Sequence, residues 1–288
     1  MKKITLLLND QESKISLVKY ASALAKDLNY DLNYLYIQTP QILSTDPDFI
    51  TPTVMDLNEM NVITEMSNDR MEKFTQMLLS EGYIDNKNSV DCQIGDAYTI
   101  VQEKIQKGET DIIILPVSNQ LSFWNLSQAS IDIIKHIVCP VLIINSEMEY
   151  IKYQNILYAS DFVEEDITTI KKLVAMNSYK IKSIEILHIE QNKSFRTHLT
   201  GLGFESMLKS NFKNTDINIY VHSIPYKDSI SNGELVDSEA KSTKADIIVV
   251  LKENKSFFAS IFSKSFTNSI IKETHLPILI FHHKEISK

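Results

Sequence analysis

Glycine and cysteine are both scarce in this chain, which has six glycines and two cysteines among 288 residues. Cys92 and Cys139 stand far apart, and no Cys-x-x-Cys pair or mixed Cys/His ligand set is present. This excludes a disulfide framework and a zinc finger, and we expect both cysteines to pack as small apolar side chains. The pair His282–His283 lacks the spaced partners of a zinc site, so we interpret it as a tail.

Long apolar runs and blocks of like charge are also absent. No stretch reaches the roughly 20 apolar residues that a transmembrane helix needs, and Asn9–Asp10 end the first apolar run too early for a secretory signal. The net charge of −8 is spread along the chain, which argues against nucleic-acid binding. No Gly-x-Ser-x-Gly elbow or Walker-type lysine motif is present. We therefore expect a soluble, cytoplasmic protein that is not an enzyme.

One unit of strand, helix and strand occurs twice, at Asp111–Asn145 and at Asp246–Phe281. Each copy starts with an apolar run of strand length and ends with a second run that opens on proline, at Pro140 or Pro277. A polar connection and a helical segment lie between the two runs. Each copy therefore predicts a βαβ unit with strands that are buried on both faces.

The rest of the chain duplicates in the same way. Asn9 and Asp161 stand 152 positions apart, as do Ile37 and Ile189. This spacing predicts two homologous halves. Because strands alternate with helices in both, the sequence predicts an α/β fold with a doubly wound, mainly parallel sheet in each half.

The duplication predicts two domains, at residues 1–146 and 154–288, each long enough to bury its own core. The segment between them, Glu147–Gln154, is interpreted as a short polar linker. In the second domain, apolar residues at helical spacing predict helices over Phe204–Phe212 and Glu234–Thr243.

Three pieces of the chain resemble the universal stress protein family in its tandem, two-domain UspA-like form: Ile156–Phe162, Ala245–Val250 and His136–Ile144. The resemblance lies in their order, spacing and duplication over nearly the whole chain. It implies a Rossmann-like sheet of the adenine nucleotide alpha hydrolase type in each half, with five strands in the order 3-2-1-4-5. It also implies an intramolecular pseudo-dimer in which the last strands, Val141–Ile144 and Ile278–Phe281, are candidates for pairing. Association of two such chains into a homodimer is left open by the resemblance.

ATP-binding members of this family carry a phosphate loop of the pattern Gly-x2-Gly-x9-Gly-Ser/Thr. The corresponding stretches here, Pro116–Gln128 and Leu251–Ser265, contain no glycine. Amides that converge on phosphates need positive φ and close approach, and each non-glycine residue forced left-handed costs about 1–2 kcal/mol. The standard phosphate cradle is therefore missing from both halves. We expect no cofactor, with ATP as an alternative.

Other positions of the family's nucleotide site survive in part. The residues at these positions are Asn9 and Ile37 in the first half, and Ser160, Asp161, Ile189 and Ser265 in the second. Asp161 matches the family's adenine-side aspartate, which is asparagine in the first half. The two isoleucines match positions whose backbone meets the base, and Ser265 matches the end of the phosphate loop. Asp161 is alternatively a capping residue at a strand end, and Ser265 a helix N-cap.

Large aromatic residues stand in both glycine-free stretches, as Phe123–Trp124 and Phe257–Phe258. Three interpretations are open: a plug in the vacated pocket or a domain interface, an apolar ligand site, and a surface for a protein partner. We favour the plug or the domain interface.

The resemblance implies a stress-response protein that acts by regulatory or protective binding, through a protein partner or an unidentified small ligand. One alternative is a nucleotide-binding module that uses Asp161 and Ser265 in the second half only. A second is a slow ATP hydrolase or autophosphorylating protein. A third is a binder of an apolar or lipid-like molecule between the halves.

Overall fold

A computed structural model describes residues 2–8, 15–38, 57–84, 88–117, 128–177, 181–190, 195–227, 229–252 and 276–286. The ten strands are β1 (Lys3–Leu8), β2 (Asp31–Gln38), β3 (Ser89–Ile94), β4 (Ile112–Val117), β5 (Val141–Asn145), β6 (Asn155–Ala159), β7 (Ser183–Glu190), β8 (Asn218–Pro225), β9 (Ile247–Lys252) and β10 (Ile278–His282). The helices are α1 (Ile15–Leu28), α2 (Leu57–Ser80), α3 (Ala97–Gln106), α4 (Gln128–His136), α5 (Glu164–Asn177), α6 (Phe195–Phe212), α7 (Asn232–Ser242) and α8 (His283–Ile286).

The strands form one continuous sheet in the order β3-β2-β1-β4-β5-β10-β9-β6-β7-β8. Each half therefore has the predicted order 3-2-1-4-5, and the pairs within each half are parallel. The two halves join where β5 and β10 pair antiparallel, with Leu142 opposite Leu279. The predicted pairing of the last strands is confirmed, and it fuses the two predicted sheets into one.

Helices cover both faces of the sheet, because the strands are apolar on both sides. Successive strand residues point to opposite faces. Tyr158 packs in the cluster that includes residues of α1, α2, α5 and α6, whereas its neighbour Leu157 packs in the cluster that includes residues of α3, α4 and α7. Each cluster contains residues from both halves, so the cores of the halves are continuous across the seam.

The linker between the halves is mostly exposed or half-buried, but its tyrosines pack into the core. Tyr153 is buried, and its hydroxyl forms a hydrogen bond with the buried hydroxyl of Tyr20 on α1. Tyr150 packs edge-on against both tyrosine rings, and its hydroxyl donates to Asp27 Oδ2 at 2.7 Å. The linker runs beside α1, and its tyrosines bury their rings there while their hydroxyls stay hydrogen-bonded.

Helix α6 begins at Phe195, nine residues before the predicted start at Phe204. It includes Gly201 and Gly203, residues that lower intrinsic helix propensity and therefore weaken the sequence signal. An added Cβ at Gly201 would lie 3.3 Å from the ring of Phe162, so close packing explains this glycine.

The cysteine prediction is confirmed for Cys139, and the tail prediction is wrong for His282. Cys139 is buried, and its thiol donates to the carbonyl of Asp111 at 3.2 Å. Cys92 is half-buried in β3. His282 is the buried last residue of β10, opposite Lys252 of β9. Its pairing with β9 extends the strand to the point where α8 begins.

Candidate functional site

The crevice at the carboxyl ends of β6, β7 and β9 is the candidate site in the second half. Strand β6 lies between β7 and β9, so the chain connections diverge on its two sides. Ligands of doubly wound sheets bind at such switch points, outside the carboxyl ends of the strands. The corresponding crevice of the first half lies at the ends of β1, β2 and β4, where residues 9–14 and 118–127 are outside the described residues.

Ser160 shapes the turn that leaves β6. Its backbone N–H donates to Leu187 on β7 at 2.9 Å, which extends the parallel pairing by one residue. Its hydroxyl oxygen accepts from the N–H of Phe162 at 2.9 Å, and its hydroxyl donates to Asp166 Oδ2 at 2.6 Å. Ser160 is completely buried. We assign it to the turn itself, because these bonds use both the donor and an acceptor site of the hydroxyl.

Asp166 is a buried carboxylate that the sequence analysis missed. It accepts from the hydroxyl of Tyr158 at 2.8 Å, from Ser160 at 2.6 Å and from the N–H of Val163 at 3.2 Å. Burial raises the pKa of Asp166 to about 7, although these hydrogen bonds favour the charged form, and the charge of Asp161 raises it further. The sequence signal for this contact was the Ser-x5-Asp spacing of Ser160 and Asp166 across the turn that precedes α5.

Phe162 lies between the candidate residue Asp161 and helix α6. Its φ of 58° is left-handed, a conformation that is costly for an aromatic residue and that the surrounding packing must hold. The ring stacks on His188 of β7 at 4.5 Å between centroids and lies 5.1 Å from Phe204. The imidazole Nδ1–H of His188 donates to the carbonyl of Ser160 at 2.8 Å. This stack closes the side of the crevice that faces α6.

Ile189 and Ile37 occupy equivalent places near the ends of β7 and β2. Both side chains are buried in the cluster on the α3, α4 and α7 side of the sheet. Each is also paired in register with the neighbouring edge strand, Ile37 with Gln93 and Ile189 with Ile224. Only their backbone could meet a ligand, which is the role that the family resemblance implies for them.

Lys252 ends the apolar strand β9 and is the second residue of the glycine-free stretch Leu251–Ser265. The side chain is buried, and its ammonium group donates to the carbonyl of Ile134 at 3.1 Å and to the carbonyl of Lys135. Burial lowers the pKa of Lys252 to about 8, and the charges of Lys135 and Lys284 lower it further. A lysine that closes an otherwise apolar strand was the sequence signal for this contact.

The histidine pair lies beside this lysine. Burial lowers the pKa of His282 to about 4, and the charges of Lys252 and Lys284 act in the same direction. His283 Nε2 lies 3.3 Å from Glu165 Oε1, which connects α8 to α5. Among the described residues, no group of three or more His, Cys, Asp or Glu side chains could hold a metal ion.

Several predicted site residues lie outside the described residues. These are Asn9 and Ser265 of the nucleotide positions, and Phe123, Trp124, Phe257 and Phe258 of the aromatic pairs. Of the six nucleotide positions, the structure places Ser160, Asp161 and Ile189 in one crevice, and Ile37 at the equivalent point of the first half.

Comparison with known proteins gives a fold and no sequence match. No family model matches the chain, and no curated protein matches its sequence. A universal stress protein from Archaeoglobus fulgidus superposes with a TM-score of 0.64 at 12% identity, over 96% of this chain and 96% of that chain. A candidate universal stress protein from Pseudomonas aeruginosa gives 0.60 at 13% identity, over 99% of this chain and 95% of that chain.

The chain has the fold of a tandem universal stress protein. A third structure, a functionally unknown protein from Pseudomonas aeruginosa, agrees, with a TM-score of 0.57 over 99% of this chain and 94% of that chain, at 13% identity. Since all three cover both halves, the duplicated architecture is shared over the full length. Among the described residues, no helix is both long enough and apolar enough to cross a membrane.

Asp161 lies at the carboxyl end of β6 in this crevice. The stretch Leu251–Ser265, for which the family resemblance implies a phosphate loop, contains no glycine. The cation nearest to the start of that stretch, Lys252, donates to backbone carbonyls of α4. We therefore derive no chemical step that involves ATP.

Proposed function

We propose that this chain is a stress-response protein of the universal stress type that acts by binding rather than by catalysis. The observation that carries the proposal is a universal stress protein fold, over the whole chain, with no glycine in either phosphate-loop stretch. Without glycine, backbone amides cannot converge on a phosphate at low cost. The protein then works as a regulatory or protective binder of a protein partner or a small ligand. Its place in the cytoplasm stays a prediction.

The surroundings of the second-half crevice support this proposal. Lys252 is committed to the carbonyl ends of α4, where a cation also interacts favourably with the helix dipole. Phe162 and His188 stack on the α6 side. A charged triphosphate would therefore meet side chains that already have partners within the protein.

A second candidate function is nucleotide binding by the second half alone. The observation that favours it is the joint placement of Asp161 and Ile189 at the carboxyl ends of adjacent strands, β6 and β7. Such a site would recognise the nucleoside and would contribute little to the binding of the phosphates.

Calorimetric titration with ATP, ADP, AMP and adenosine, in the presence of magnesium, tests both functions. Our proposal expects no binding of ATP at micromolar concentration and no phosphate release from ATP after prolonged incubation. Micromolar binding of ATP that Asp161→Asn abolishes and Glu164→Gln retains would overturn it, because Glu164 is an exposed acid of the same turn. Binding of adenosine and AMP with equal affinity would support the second candidate.

The stress-response role needs a separate test in the organism that carries the gene. Deletion should lower survival under a stress that induces the protein. We expect the Asp161→Asn variant to restore survival as well as the wild type does, because the proposed role does not use a nucleotide. Failure of this variant alone would indicate that the crevice is functional.

A further inference from the structure

An open pocket of about 220 Å³ lies beside α5, at the amino ends of β1, β4 and β5. Its floor is apolar and comes from both halves, since Ile112 and Pro140 belong to the first and Phe281 to the second. Ile112 and Phe281 are buried core residues. The pocket therefore sits on the seam between the halves, and none of the residues that line it belongs to the nucleotide crevice.

A smaller apolar cavity lies next to this pocket. Ile112 and Met176 line both this pocket and the smaller cavity of about 30 Å³ between α1 and α5. Leu24 on α1 and Leu173 on α5 form the walls of that inner cavity. A space of this size holds about one water-sized group. The inner cavity therefore offers an apolar end to a ligand that enters from the pocket.

The equivalent groove beside α1 is occupied by the chain itself. The spacing of 152 residues between the halves makes Tyr20 on α1 the counterpart of Lys172 on α5. The ring of the linker residue Tyr150 packs against Tyr20, and the hydroxyl of Tyr153 forms a hydrogen bond with that of Tyr20. Lys172 instead lines the open pocket. The duplicated fold thus fills one groove with aromatic rings and leaves its counterpart accessible.

The chemistry of the open pocket differs from that of the filled groove in its charge. Lys2 and Lys172 line it, and the Lys2 ammonium lies 5.5 Å from the centre of the Tyr30 ring. One carboxylate, Asp111, also lines it, and Asp111 Oδ2 accepts from the backbone N–H of Lys3 at 2.7 Å. Two ammonium groups against one carboxylate favour an anionic group at the mouth of the pocket.

We propose that this pocket binds a small amphiphile with one anionic head group and one apolar or aromatic body. The head lies near Lys2 and Lys172, and the body lies on Ile112 and Met176 towards the inner cavity. The volume is below the roughly 300–1,000 Å³ of pockets for drug-sized ligands, so the body is a single ring system or a short chain. The proposal is independent of the nucleotide crevice and goes beyond the function proposed above.

Calorimetric titration with decanoate, 2-naphthoate and decanol tests the ligand class. We expect both carboxylates to bind and decanol to bind at least about tenfold more weakly, because the alcohol lacks the charge that the lysines contact. The relative affinities of decanoate and 2-naphthoate then tell an aliphatic from an aromatic body. Equal binding of decanol and decanoate would overturn the anionic head, and no binding of any probe would overturn the site.

Matched variants place the binding in the pocket. Lys172→Gln should weaken the binding of decanoate by about tenfold. Lys171 is exposed and does not line the pocket, so Lys171→Gln should leave the affinity for decanoate unchanged. Met176→Trp fills the pocket and should abolish binding. Equal effects at positions 171 and 172 would overturn the proposal, as would undiminished binding to a folded Met176→Trp protein. If Met176→Trp does not fold, the lysine pair decides the outcome.

Discussion

The ammonium group of Lys252, in the second half, donates a 3.1 Å hydrogen bond to the carbonyl of Ile134 in the last turn of α4, in the first half. The first-half residue at the same point of its strand is Val117, which ends β4 as Lys252 ends β9. The contact is therefore asymmetric within a duplicated fold. It satisfies helix carbonyls that have no partner within the helix.

Replacing Lys252 by methionine should destabilise the protein by about 1–3 kcal/mol, because the buried carbonyls of α4 lose their donor. The folded pKa, about 8, lies below the ordinary lysine value, so the unfolded chain binds the proton more tightly. Wild-type stability should then rise between about pH 8 and the ordinary lysine pKa near 10.4, and the Met variant should lack this rise. Urea unfolding at pH 7 and pH 10 measures both effects. A parallel response of the two proteins would contradict the assignment, and Lys171→Gln at an exposed site that does not contact Lys252 is the control.

Asp166 should make the stability of the folded protein fall with increasing pH. Its folded pKa of about 7 lies above the ordinary aspartate value near 3.9, so the folded state binds the proton more tightly. The stabilisation by the protonated form is complete below about pH 4 and is lost as the pH rises through 7. Asp166→Asn removes this dependence and should gain stability relative to the wild type between pH 5 and 8. Denaturant midpoints across this range check the prediction, and Glu164→Gln is the control. A difference in midpoint between the wild type and Asp166→Asn that does not change with pH would refute it.

The two glycines of α6 should respond differently to alanine. Gly203 has no atom within 4 Å of an added Cβ, so Gly203→Ala should stabilise the helix by up to about 1 kcal/mol. At Gly201 the added Cβ would lie 3.3 Å from the Phe162 ring. We expect Gly201→Ala to gain less than Gly203→Ala, or to destabilise, because the Phe162–His188 stack must shift. Thermal unfolding of the two variants tests this, and an equal gain at both sites would show that the contact imposes no constraint.

Replacing Lys244 by glycine should stabilise the protein. Lys244 follows the last turn of α7 with a left-handed φ of 53° and an exposed side chain, whereas Gly108 holds the same place after α3 with φ of 68°. Glycine adopts this conformation without the roughly 1–2 kcal/mol that other residues incur. Lys244→Gly should therefore stabilise the protein by about 1 kcal/mol, and Gly108→Ala should destabilise it by a similar amount. Chemical denaturation measures both changes; a loss of stability in Lys244→Gly would mean that the lysine makes a contact that outweighs the backbone strain.

Local patterns were enough to predict the alternating strands and helices and the duplication, whereas the order 3-2-1-4-5 was implied by the family resemblance. Apolar runs such as Ile112–Leu115 carry their own signal for a strand that is buried on both faces. The start of α6 was missed because Gly201 reads as a helix breaker until Phe162 is placed against it. The burial of Tyr153 within the linker was missed because it depends on Tyr20, which is distant in sequence.

The sequence by itself determined the alternation of strands and helices, the duplication, and the absence of glycine from Pro116–Gln128 and Leu251–Ser265, because periodicity and residue type are local properties. Tertiary structure alone decided that the cores of the halves are continuous, that Asp166 is buried at the turn after β6, and that Lys252 contacts α4. It also decided that one groove is filled by Tyr150 while its counterpart beside Met176 stays open. These features depend on which distant residues meet, and burial then sets their charge and hydrogen bonding.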